Sequence, residues 1–559
     1  MESLAADLRT MVRTPLQDDH VEAIRSIGRE VSFAAGETIV PLGAPSDTFF
    51  YLLEGEAEAV DPVTGGRYGD GATLGPGQFV GEISFLNGAH AMLAMRAVRD
   101  CRFLAADRRP MLELMARIPE MSDIVVTVFA ARRRRLLESN EASLTLIGMD
   151  RDRDIRAIAA FAGRNRIPFR TLDPGDAEAG EIAESCALVP REPAVLFGKD
   201  QVIEDPTPRK VAQLFGLDLE LDGAAVHDVL IVGGGPGGVA AAVYAGAEGL
   251  SALVVEDATI GGQAGTSSRI ENYMGFPTGI SGGDLCWRGE VQAMKFGARF
   301  AVPRRATAIA RRDGGGFCVT LDDGTETCAR AVVVACGVQY RRLPLDRLEA
   351  FEGAGVYYAA TDIEARFCRG TDVVIVGGGN SAGQAAMFLS RYAKCVHLLV
   401  RGDGLADSMS SYLSERLEAD DGIRIRYRTE IDALEGGDQL EAVRLRGEGV
   451  EPGDDRIDTR ATFIMVGAAP NTDWLEGLVE TDERGFVLTG EQVGRDTPFE
   501  TSQPGVFAVG DVRAGSVKRV ASAVGEGSIC ISKVWQHVQS VREAEGGDPE
   551  AGDEDRSAA

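Results

Sequence analysis

The sequence predicts a multidomain protein with four folded parts: a small β-roll with helices, a small α/β unit and two larger α/β domains. Three observations lead to this prediction. Residues 1–140 alternate short apolar strands with glycine turns, at Gly36, Gly43 and Gly55, and this spacing is typical of a β-roll. From about residue 222 the pattern changes to long alternation of strand and helix. Within that region an apolar strand, a glycine-rich loop and a helix follow one another twice.

Length, composition and charge limit the classes of protein to which the chain can belong. The chain has 559 residues, 44% hydrophobic and 26% charged, an ordinary balance for about three or four globular domains. The apolar runs are strand-length and the first residues lack an apolar signal core, so we expect no membrane partner and a cytoplasmic location. The net charge of −28 disfavours nucleic acid as a partner, because phosphate binding needs clusters of Lys and Arg. The one basic run, four arginines at 132–135, is interpreted as a solvated helix face.

The nine cysteines argue against a disulfide framework and against a metal site. Their number is odd, and no two of them form a C-x-x-C motif. No Cys/His cluster has the spacing of a zinc site. We therefore expect neither structural disulfides nor a bound metal.

The first part resembles a cyclic-nucleotide-binding domain over roughly residues 16–138. The stretches "AAGETI", "DTFFYLLEGEAEAV" and "FVGEIS" carry the resemblance. It implies a domain spanning 1–140 in which Gly81 and Glu82 bind the cyclic phosphate and the ribose. The family's phosphate-binding arginine is missing, since Ala91 and Met92 occupy its place, and Arg96 is read as an ordinary strand residue. A cyclic nucleotide, a different ligand and a purely structural role therefore all stay open.

The sequence pattern of residues 141–221 predicts a small α/β unit, with a strand, a helix, a strand, a hairpin and a closing helix in that order. This order resembles a thioredoxin or glutaredoxin fold. The resemblance implies a cis peptide bond before Pro193 and a redox pair at the start of the first helix. That place reads "GMDRDRDI" and contains no cysteine, and Cys186 is interpreted as a small buried residue. We expect a spacer or docking unit without redox chemistry.

The first glycine-rich loop carries the features of a dinucleotide site. The stretch "HDVLIVGGGPGGVAAAV" places G-x-G-x-x-G at Gly233, Gly235 and Gly238, between a strand and a helix. The glycines permit a tight turn and a close approach of the backbone to a pyrophosphate at the helix N-terminus. Glu256 ends the next strand, where an acid binds ribose hydroxyls. Together these features predict a Rossmann-like domain.

The second glycine-rich loop has a different terminal residue. The stretch "DVVIVGGGNSAGQAAMFLSRYAKCVHLLVRG" gives G-x-G-x-x-A, and its second strand ends at Arg401 rather than at an acid. An arginine there suits a 2′-phosphate, so NADP is favoured over NAD, although an ordinary surface arginine is the alternative. The candidate residues of this loop are Gly377, Gly379, Asn380, Ser381, Ala382 and Arg401.

Residues 224–538 resemble thioredoxin reductases and their relatives. The stretches "GGQAGTSSRIENYMGFP", "VVVACGVQYRRL" and "PGVFAVGDV" occur in the family's order. The resemblance implies an FAD-binding domain at 222–342 and 466–540 and an NAD(P)H-binding domain at 343–465. It also implies a homodimer. The acidic residues 541–559 are predicted to form a disordered tail.

The same resemblance assigns further residues to the flavin. Asp511 would bond to the ribityl chain, and the helix that begins near Arg519 would direct its N-terminus at the flavin ring, where its dipole stabilises the anionic reduced form. The other residues implied by position are Gly261, Gly262, Gln263, Asn272, Gly337 and Val520.

The redox pair of that family is absent from this sequence. Where the family has "YCATC", this chain reads "YAATD", so Ala359 and Asp362 replace the two cysteines, and the nearby Cys368 is alone. Three functions follow as hypotheses. One is an NAD(P)H oxidoreductase that passes electrons through FAD to a small-molecule or small redox-protein acceptor. The others are a regulatory or redox-sensing flavoprotein with little turnover and a disulfide reductase that uses unrecognised cysteines.

Overall fold

The structure is a computed structural model that describes residues 15–545 apart from short gaps. The gaps are residues 70–72, 139–141, 150–151, 187, 189–191, 220, 222, 224, 268–269, 271, 313, 353, 359, 361, 366–367, 406–408 and 438. Most of the predicted acidic tail, from residue 546 on, lies outside the described residues.

The first part is an antiparallel β-roll closed by helices. Its two sheets have the strand orders β1-β7-β3 and β2-β6-β4-β5. The strands are β1 Arg29–Phe33, β2 Thr38–Val40, β3 Thr48–Glu54, β4 Ala57–Val60, β5 Thr73–Leu74, β6 Ala94–Ala97 and β7 Cys101–Asp107. The helices are α1 Asp18–Ile27, α2 Ser84–Asn87, α3 Arg108–Arg117 and α4 Pro119–Glu138. Helix α4 packs on the roll through Phe129, whose ring lies 5.7–6.5 Å from those of Phe49, Phe79 and Phe85.

The second part is a four-stranded mixed sheet of order β11-β10-β8-β9. Strands β8 and β9 are parallel, and β10 runs antiparallel to both β8 and β11. The elements are β8 Leu144–Ile147, α5 Arg153–Arg164, β9 Phe169–Leu172, α6 Ala177–Ser185, β10 Ala194–Phe197, β11 Gln201–Val202 and α7 Pro208–Leu214. The predicted strands and helices occur in the predicted order, but α6 lies between β9 and β10, where no helix was predicted. The thioredoxin-like assignment itself stays a prediction.

Two details of the second part differ from expectation. The cis peptide bond among the described residues is Val302–Pro303, so the prediction of a cis bond before Pro193 is wrong. The trans form is the default for an X–Pro bond, and the cis form is only a minority of such bonds in folded proteins. Cys186, at the end of α6, is half-buried rather than buried.

The third part is a seven-stranded sheet of order β14-β13-β12-β17-β16-β15, with β28 added beside β17. Strands β12, β13, β14, β17 and β28 are parallel, which fits a doubly wound sheet. The strands are β12 Val226–Val232, β13 Ala252–Val255, β14 Arg299–Ala301, β15 Ala306–Arg311, β16 Phe317–Leu321, β17 Glu326–Val334 and β28 Val506–Ala508. The helices are α8 Pro236–Ala247, α9 Gly282–Lys295 and α14 Val520–Ala544. Helix α14 continues past residue 540, so residues 541–544 belong to it and not to the predicted tail.

The fourth part has a five-stranded parallel sheet of order β19-β26-β20-β21-β22 and an antiparallel sheet of order β23-β24-β25. Strands β18 and β27 pair with each other where the chain enters and leaves this part. The strands are β18 Val338–Tyr340, β19 Val356–Tyr357, β20 Asp372–Val376, β21 Cys395–Val400, β22 Ile423–Tyr427, β23 Glu430–Gly436, β24 Leu440–Arg446, β25 Arg456–Asp458, β26 Ala461–Ile464 and β27 Ala468–Pro470. The helices are α10 Leu348–Phe351, α11 Asp362–Ala365, α12 Asn380–Leu389 and α13 Ser411–Glu418.

One disulfide bond connects two strands of the third part. Cys318 on β16 lies directly opposite Cys328 on β17, with 4.1 Å between their Cα atoms. The sequence argument against disulfides missed this pair because its register is set by the hairpin and not by a motif. The other seven cysteines are free thiols.

Within the part of the chain that the structure describes, no helix combines the length and the apolar character that crossing a membrane requires.

Candidate functional site

A cavity of about 1920 Å³ opens at the carboxyl ends of the parallel strands of the third part, and we call it the flavin-side cavity. Ligands of doubly wound sheets bind at this edge. The structure brings to this cavity nine of the residues predicted from the sequence. They are Gly233, Gly235, Glu256, Gly262, Gln263, Gly337, Asp511, Arg519 and Val520.

The glycines of the first loop show that the loop fits a pyrophosphate. A Cβ on Gly233 would lie 2.4 Å from the carbonyl oxygen of Ala335, and one on Gly238 would lie 1.9 Å from that of Gly233. These two positions therefore pack backbone against backbone and leave no space for a side chain. A Cβ on Gly235 would meet nothing within 4 Å, because that position faces the cavity at the N-terminus of α8. Backbone N–H groups at this end of a helix attract phosphate.

Glu256 lines the same cavity. It follows β13, and its carboxylate accepts hydrogen bonds from the backbone N–H groups of Gly234 at 2.6 Å and Ala258 at 3.2 Å. Burial and the neighbouring Asp257 raise the pKa of the Glu256 carboxyl. A carboxyl in this position can accept hydrogen bonds from ribose hydroxyls.

Three other residues were predicted to bind the flavin. Two of them hold the loops around the cavity in place, and the third lies away from the cavity. Gly261 donates its N–H to the carbonyl of Gly234 at 2.7 Å, so it holds the loop without lining the cavity. The side chain of Gln263 donates to the carbonyl of Val338 at 2.5 Å. Asn272 is exposed in a turn, and the structure does not bring it to the cavity.

The start of α14 forms a further wall of the cavity, beside the start of α8. Arg519 precedes the helix, and Val520 is its first residue. Asp511 lies in the 3₁₀ turn Gly510–Val512, and burial raises the pKa of its carboxyl. Glu526 of α14 fixes that turn, because it accepts the N–H of Gly510 at 2.6 Å and pairs with Arg513 at 2.8 Å. The wall therefore presents a helix N-terminus and a carboxyl to the cavity.

The second glycine loop has the same construction in the fourth part. A Cβ on Gly377 would lie 2.3 Å from the carbonyl oxygen of Met465, so the loop packs tightly against the residue that follows β26. Gly379 precedes α12, Asn380 and Ser381 open that helix, and Ala382 is fully buried. The Asn380 side chain accepts the N–H of Ser410 at 2.9 Å. Arg401 is exposed just after β21, and no described residue forms an ion pair with it.

The positions of the missing cysteine pair are only partly described. Ala359 lies outside the described residues, and Asp362 is the first residue of α11. Cys368 is buried, and burial raises the pKa of its thiol to about 12. Cys336 lines the flavin-side cavity and donates its S–H to the carbonyl of Asn471 at 2.9 Å. Burial raises its pKa to about 12 as well, so both thiols are weak nucleophiles at neutral pH.

A second cavity, of about 1120 Å³, lies inside the β-roll, and we call it the front cavity. Gly81, Glu82, Ala91 and Met92 all line it. The Glu82 carboxylate is ion-paired with Arg133 at 2.6 Å. The prediction that Arg96 is an ordinary strand residue is confirmed, because on β6 it pairs with Glu58 of β4 at 2.5 Å.

Helix α4 is a wall of both cavities. Arg132, Arg135 and Leu136 line the front cavity, while Arg133 and Leu137 line the flavin-side cavity. The expectation that 132–135 is a solvated face is therefore wrong for Arg133, whose side chain is only 7% exposed. Consecutive helical residues differ by about 100° in direction, so a run of four arginines covers every side of the helix.

Arg133 joins the first two parts of the chain. Its guanidinium pairs with Glu82, donates to the Ser84 hydroxyl at 2.9 Å, and contacts the Arg166 carbonyl of the second part at 3.5 Å. Burial raises the pKa of Glu290 on α9 to about 7, and the charges of Arg166 and Arg133 oppose that rise. Sequence reasoning missed Arg133, Arg166 and Glu290, because no motif marks them.

Comparison with models of known protein families identifies the family to which the chain belongs. The family model described as pyridine nucleotide-disulphide oxidoreductase matches residues 227–527, more than half of the chain, and a cyclic nucleotide-binding domain matches residues 30–118. The chain belongs to the pyridine nucleotide-disulphide oxidoreductase family, as an FAD- and NAD(P)H-dependent oxidoreductase with a cyclic nucleotide-binding domain at its front.

The relatives within that family are thioredoxin reductases, which use FAD and NADPH. The thioredoxin reductase of Mycolicibacterium smegmatis is 36% identical over 302 residues, which cover 54% of this chain and 93% of the relative. The NADPH-dependent thioredoxin reductase 3 of Arabidopsis thaliana is 33% identical over 329 residues, covering 57% of this chain and 59% of the relative. Among solved structures, the thioredoxin reductase of Lactococcus lactis has a TM-score of 0.51 at 28% identity and covers 56% of this chain and 99% of that one.

Proposed function

We propose that this protein passes electrons from NAD(P)H through FAD directly to an acceptor, without an internal C-x-x-C pair. The observation that carries the proposal is the stretch "YAATD", in which Ala359 and Asp362 stand where thioredoxin reductases have their cysteines. A bound flavin supplies hydride acceptance from a nicotinamide, and this chemistry needs no thiol. The residues at the two glycine loops would hold the two nucleotides.

The described cysteines support this proposal over an unrecognised disulfide relay. The thiols of Cys336 and Cys368 have pKa values raised by burial, which disfavours the thiolate needed for exchange. The disulfide Cys318–Cys328 lies on the β16–β17 hairpin, and neither residue lines the flavin-side cavity. A relay through that bond would therefore need a large movement.

The acceptor is proposed to be a small molecule or a small redox protein. The relatives are named thioredoxin reductases, so a protein disulfide is one acceptor class to test. We also retain the homodimer and the domain boundaries of the sequence analysis as proposals.

The front part is proposed to regulate the flavin. Helix α4 and the turn 81–84 contribute residues to both cavities, so a ligand in the front cavity would contact elements that also contact the flavin-side cavity. The Glu82–Arg133 pair connects these two surfaces. If turnover is slow in every assay, the same geometry favours a redox-sensing flavoprotein as the second candidate function.

An anaerobic titration with NADPH tests the electron path. We expect rapid bleaching of the flavin absorption band in the wild type and at the same rate in Cys336→Ser and Cys368→Ala. A panel of quinones, oxygen and protein disulfides then identifies the acceptor. Loss of acceptor reduction in either cysteine variant, with bleaching intact, would favour a disulfide relay. Slow bleaching with flavin bound would favour the sensor.

A further inference from the structure

We propose that the front cavity binds a small molecule with an apolar body and a single anionic group, and not a cyclic nucleotide. This ligand class belongs to the regulatory role of the front part proposed above. Any effect of the ligand on turnover rests on that proposed role. Binding itself can be measured independently of turnover.

The polar groups that a sugar phosphate would need are absent or already engaged. Glu82, the residue that resemblance assigns to the ribose, pairs with Arg133 at 2.6 Å and accepts the N–H of Ser84 at 3.1 Å. The place of the phosphate-binding arginine holds Ala91 and the buried Met92. Arg96, the next arginine along the chain, is held by Glu58 at 2.5 Å. A cyclic nucleotide bound here would lack the arginine that the family places beside the phosphate, and its ribose hydroxyls would lack the contact with Glu82.

Most of the cavity surface is apolar. Side chains from both sheets, from the turn before α2 and from α4 contribute to it. The apolar residues that line it include Ile39, Phe50, Leu74, Phe79, Val80, Met92, Leu93, Met95, Ile124, Val128 and Leu136. Methionine side chains adapt to ligands of differing shape. With about 1120 Å³, the cavity can hold a drug-sized apolar molecule.

The charged residues of the lining favour an anion. Three arginines of α4 line the cavity, at positions 132, 134 and 135. Its two carboxylates, Asp123 and Glu82, are each paired with a cation outside the lining, Lys295 at 3.1 Å and Arg133 at 2.6 Å. Arg132 donates to the carbonyl of Gly81 at 2.7 Å, whereas Arg135 is the exposed arginine of the three and offers a cation to a bound molecule. A single carboxylate or sulfonate on an apolar body complements this arrangement.

A fluorescence titration of the flavin-loaded full-length protein with anilinonaphthalene sulfonate tests the proposal. This probe is an apolar aromatic body with one anionic group. We expect saturable binding that dodecanoate or naphthoate displaces, and the more effective of the two identifies an acyl chain or a flat ring as the body. Dodecanol, which lacks the charge, should displace the probe at least about tenfold less effectively. Cyclic AMP should not displace it.

Two variants locate the binding. Ala59→Trp fills the cavity from β4 and should abolish saturable binding. Arg135→Glu reverses an exposed charge in the lining and should weaken dodecanoate binding by roughly tenfold, without affecting dodecanol. Arg117→Glu, an equally exposed arginine in the last turn of α3, is the matched control and should bind as the wild type does.

Three results would overturn the proposal. In the first, cyclic AMP displaces the probe as effectively as dodecanoate does. In the second, dodecanol displaces it as effectively as dodecanoate. In the third, Arg135→Glu and Arg117→Glu change dodecanoate binding equally. If Ala59→Trp loses its fold, judged by circular dichroism, the two arginine variants still decide. Because no electron transfer is measured, failure of this inference is distinguishable from failure of the proposed oxidoreductase function.

Discussion

Gly235 and Gly238 belong to one loop, but each is glycine for a different reason. At Gly238 a Cβ would lie 1.9 Å from the carbonyl oxygen of Gly233, so the fold itself excludes a side chain. At Gly235 a Cβ would lie in open space at the edge of the cavity, so the fold tolerates one. The need for glycine at 235 therefore comes from the ligand, and a substitution there tests binding separately from folding.

Gly235→Asp should give a folded protein that has lost its flavin. The new carboxylate would face the pyrophosphate at the N-terminus of α8, where like charges repel. We expect at least a roughly tenfold lower ratio of flavin absorbance to protein. Gly437→Asp, at an exposed glycine where a Cβ also meets nothing, is the control. A yellow, flavin-replete Gly235→Asp protein would contradict the assignment of this loop.

Arg401→Ala should distinguish the two nicotinamide cofactors. A guanidinium bonded to a 2′-phosphate forms a charge-assisted contact that NADH cannot make. The KM for NADPH should rise about tenfold while that for NADH stays constant, as steady-state kinetics with each cofactor would show. Arg391→Ala, at another exposed arginine of the fourth part, serves for comparison. Equal changes for both cofactors would mean that Arg401 is an ordinary surface residue.

At the scale of the element, α9 connects the flavin-binding part to the two parts before it. Ser281 caps the helix by accepting the N–H of Asp284 at 3.0 Å. Asp284 pairs with Arg166 of the second part at 2.9 Å, and Lys295 pairs with Asp123 of α4 at 3.1 Å. Glu290 lies between these two contacts on the same helix, is half-buried and lines the flavin-side cavity.

The stability of this junction should fall as the pH rises from about 4.5 to about 7. Burial raises the pKa of Glu290 from an ordinary value of 4.5 to about 7, so the folded protein holds the proton more tightly than the unfolded chain. The stabilisation is complete below the unfolded value and is lost as the pH passes through the folded value, on the order of 3 kcal/mol in all.

Glu290→Gln should remove this pH dependence and raise the unfolding temperature above pH 7. The unfolding temperatures of the wild type and the variant should be compared between about pH 5 and about pH 8, a range that covers the titration of Glu290 in the folded protein. The control is Glu120→Gln, at an exposed glutamate in the first turn of α4. Parallel curves for the wild type and Glu290→Gln would show that another group dominates.

The elements differ in how far the sequence could predict them. Each glycine loop with its strand and helix lies within about thirty consecutive residues, so periodicity and spacing were sufficient. Arg133 pairs with a residue 51 positions earlier, and only the packing of α4 on the roll decides which arginine of the run is buried. Cys318 and Cys328 form a pair through hairpin register. Local patterns thus identify the nucleotide loops, while contacts between parts need the structure.

At the scale of the whole molecule, the first two parts are attached to the flavin-binding part at several points. The Asn165 side chain donates to the carbonyl of Ala258 at 3.1 Å, close to Glu256. The N–H of Phe300 on β14 donates to the Asn87 side chain at 3.4 Å. Arg304 forms a buried ion pair with Asp218, just after α7. The flavin-side cavity is therefore enclosed in part by residues that precede the matched family region.

A chain that begins at residue 142 should release its flavin faster than the full-length protein. It keeps both glycine loops and Glu256 but lacks α4, so the cavity opens to solvent on the side of Arg133 and Leu137. We expect roughly tenfold faster dissociation, followed by flavin fluorescence after dilution. Full-length Arg117→Ala, altered in the front part away from both cavities, should behave as the wild type. Unchanged dissociation in the shortened chain would show that α4 does not retain the cofactor.

The shared wall formed by α4 has a consequence that follows from thermodynamic linkage. If an occupant of the front cavity changes the affinity of the other cavity for its cofactor by some factor, cofactor binding must change the affinity for that occupant by the same factor. The same reciprocity holds for the oxidised and reduced forms of the flavin. The β-roll would then report the redox state of the flavin as well as influence it, and the affinity of the front cavity would follow the cell's supply of reduced nicotinamide.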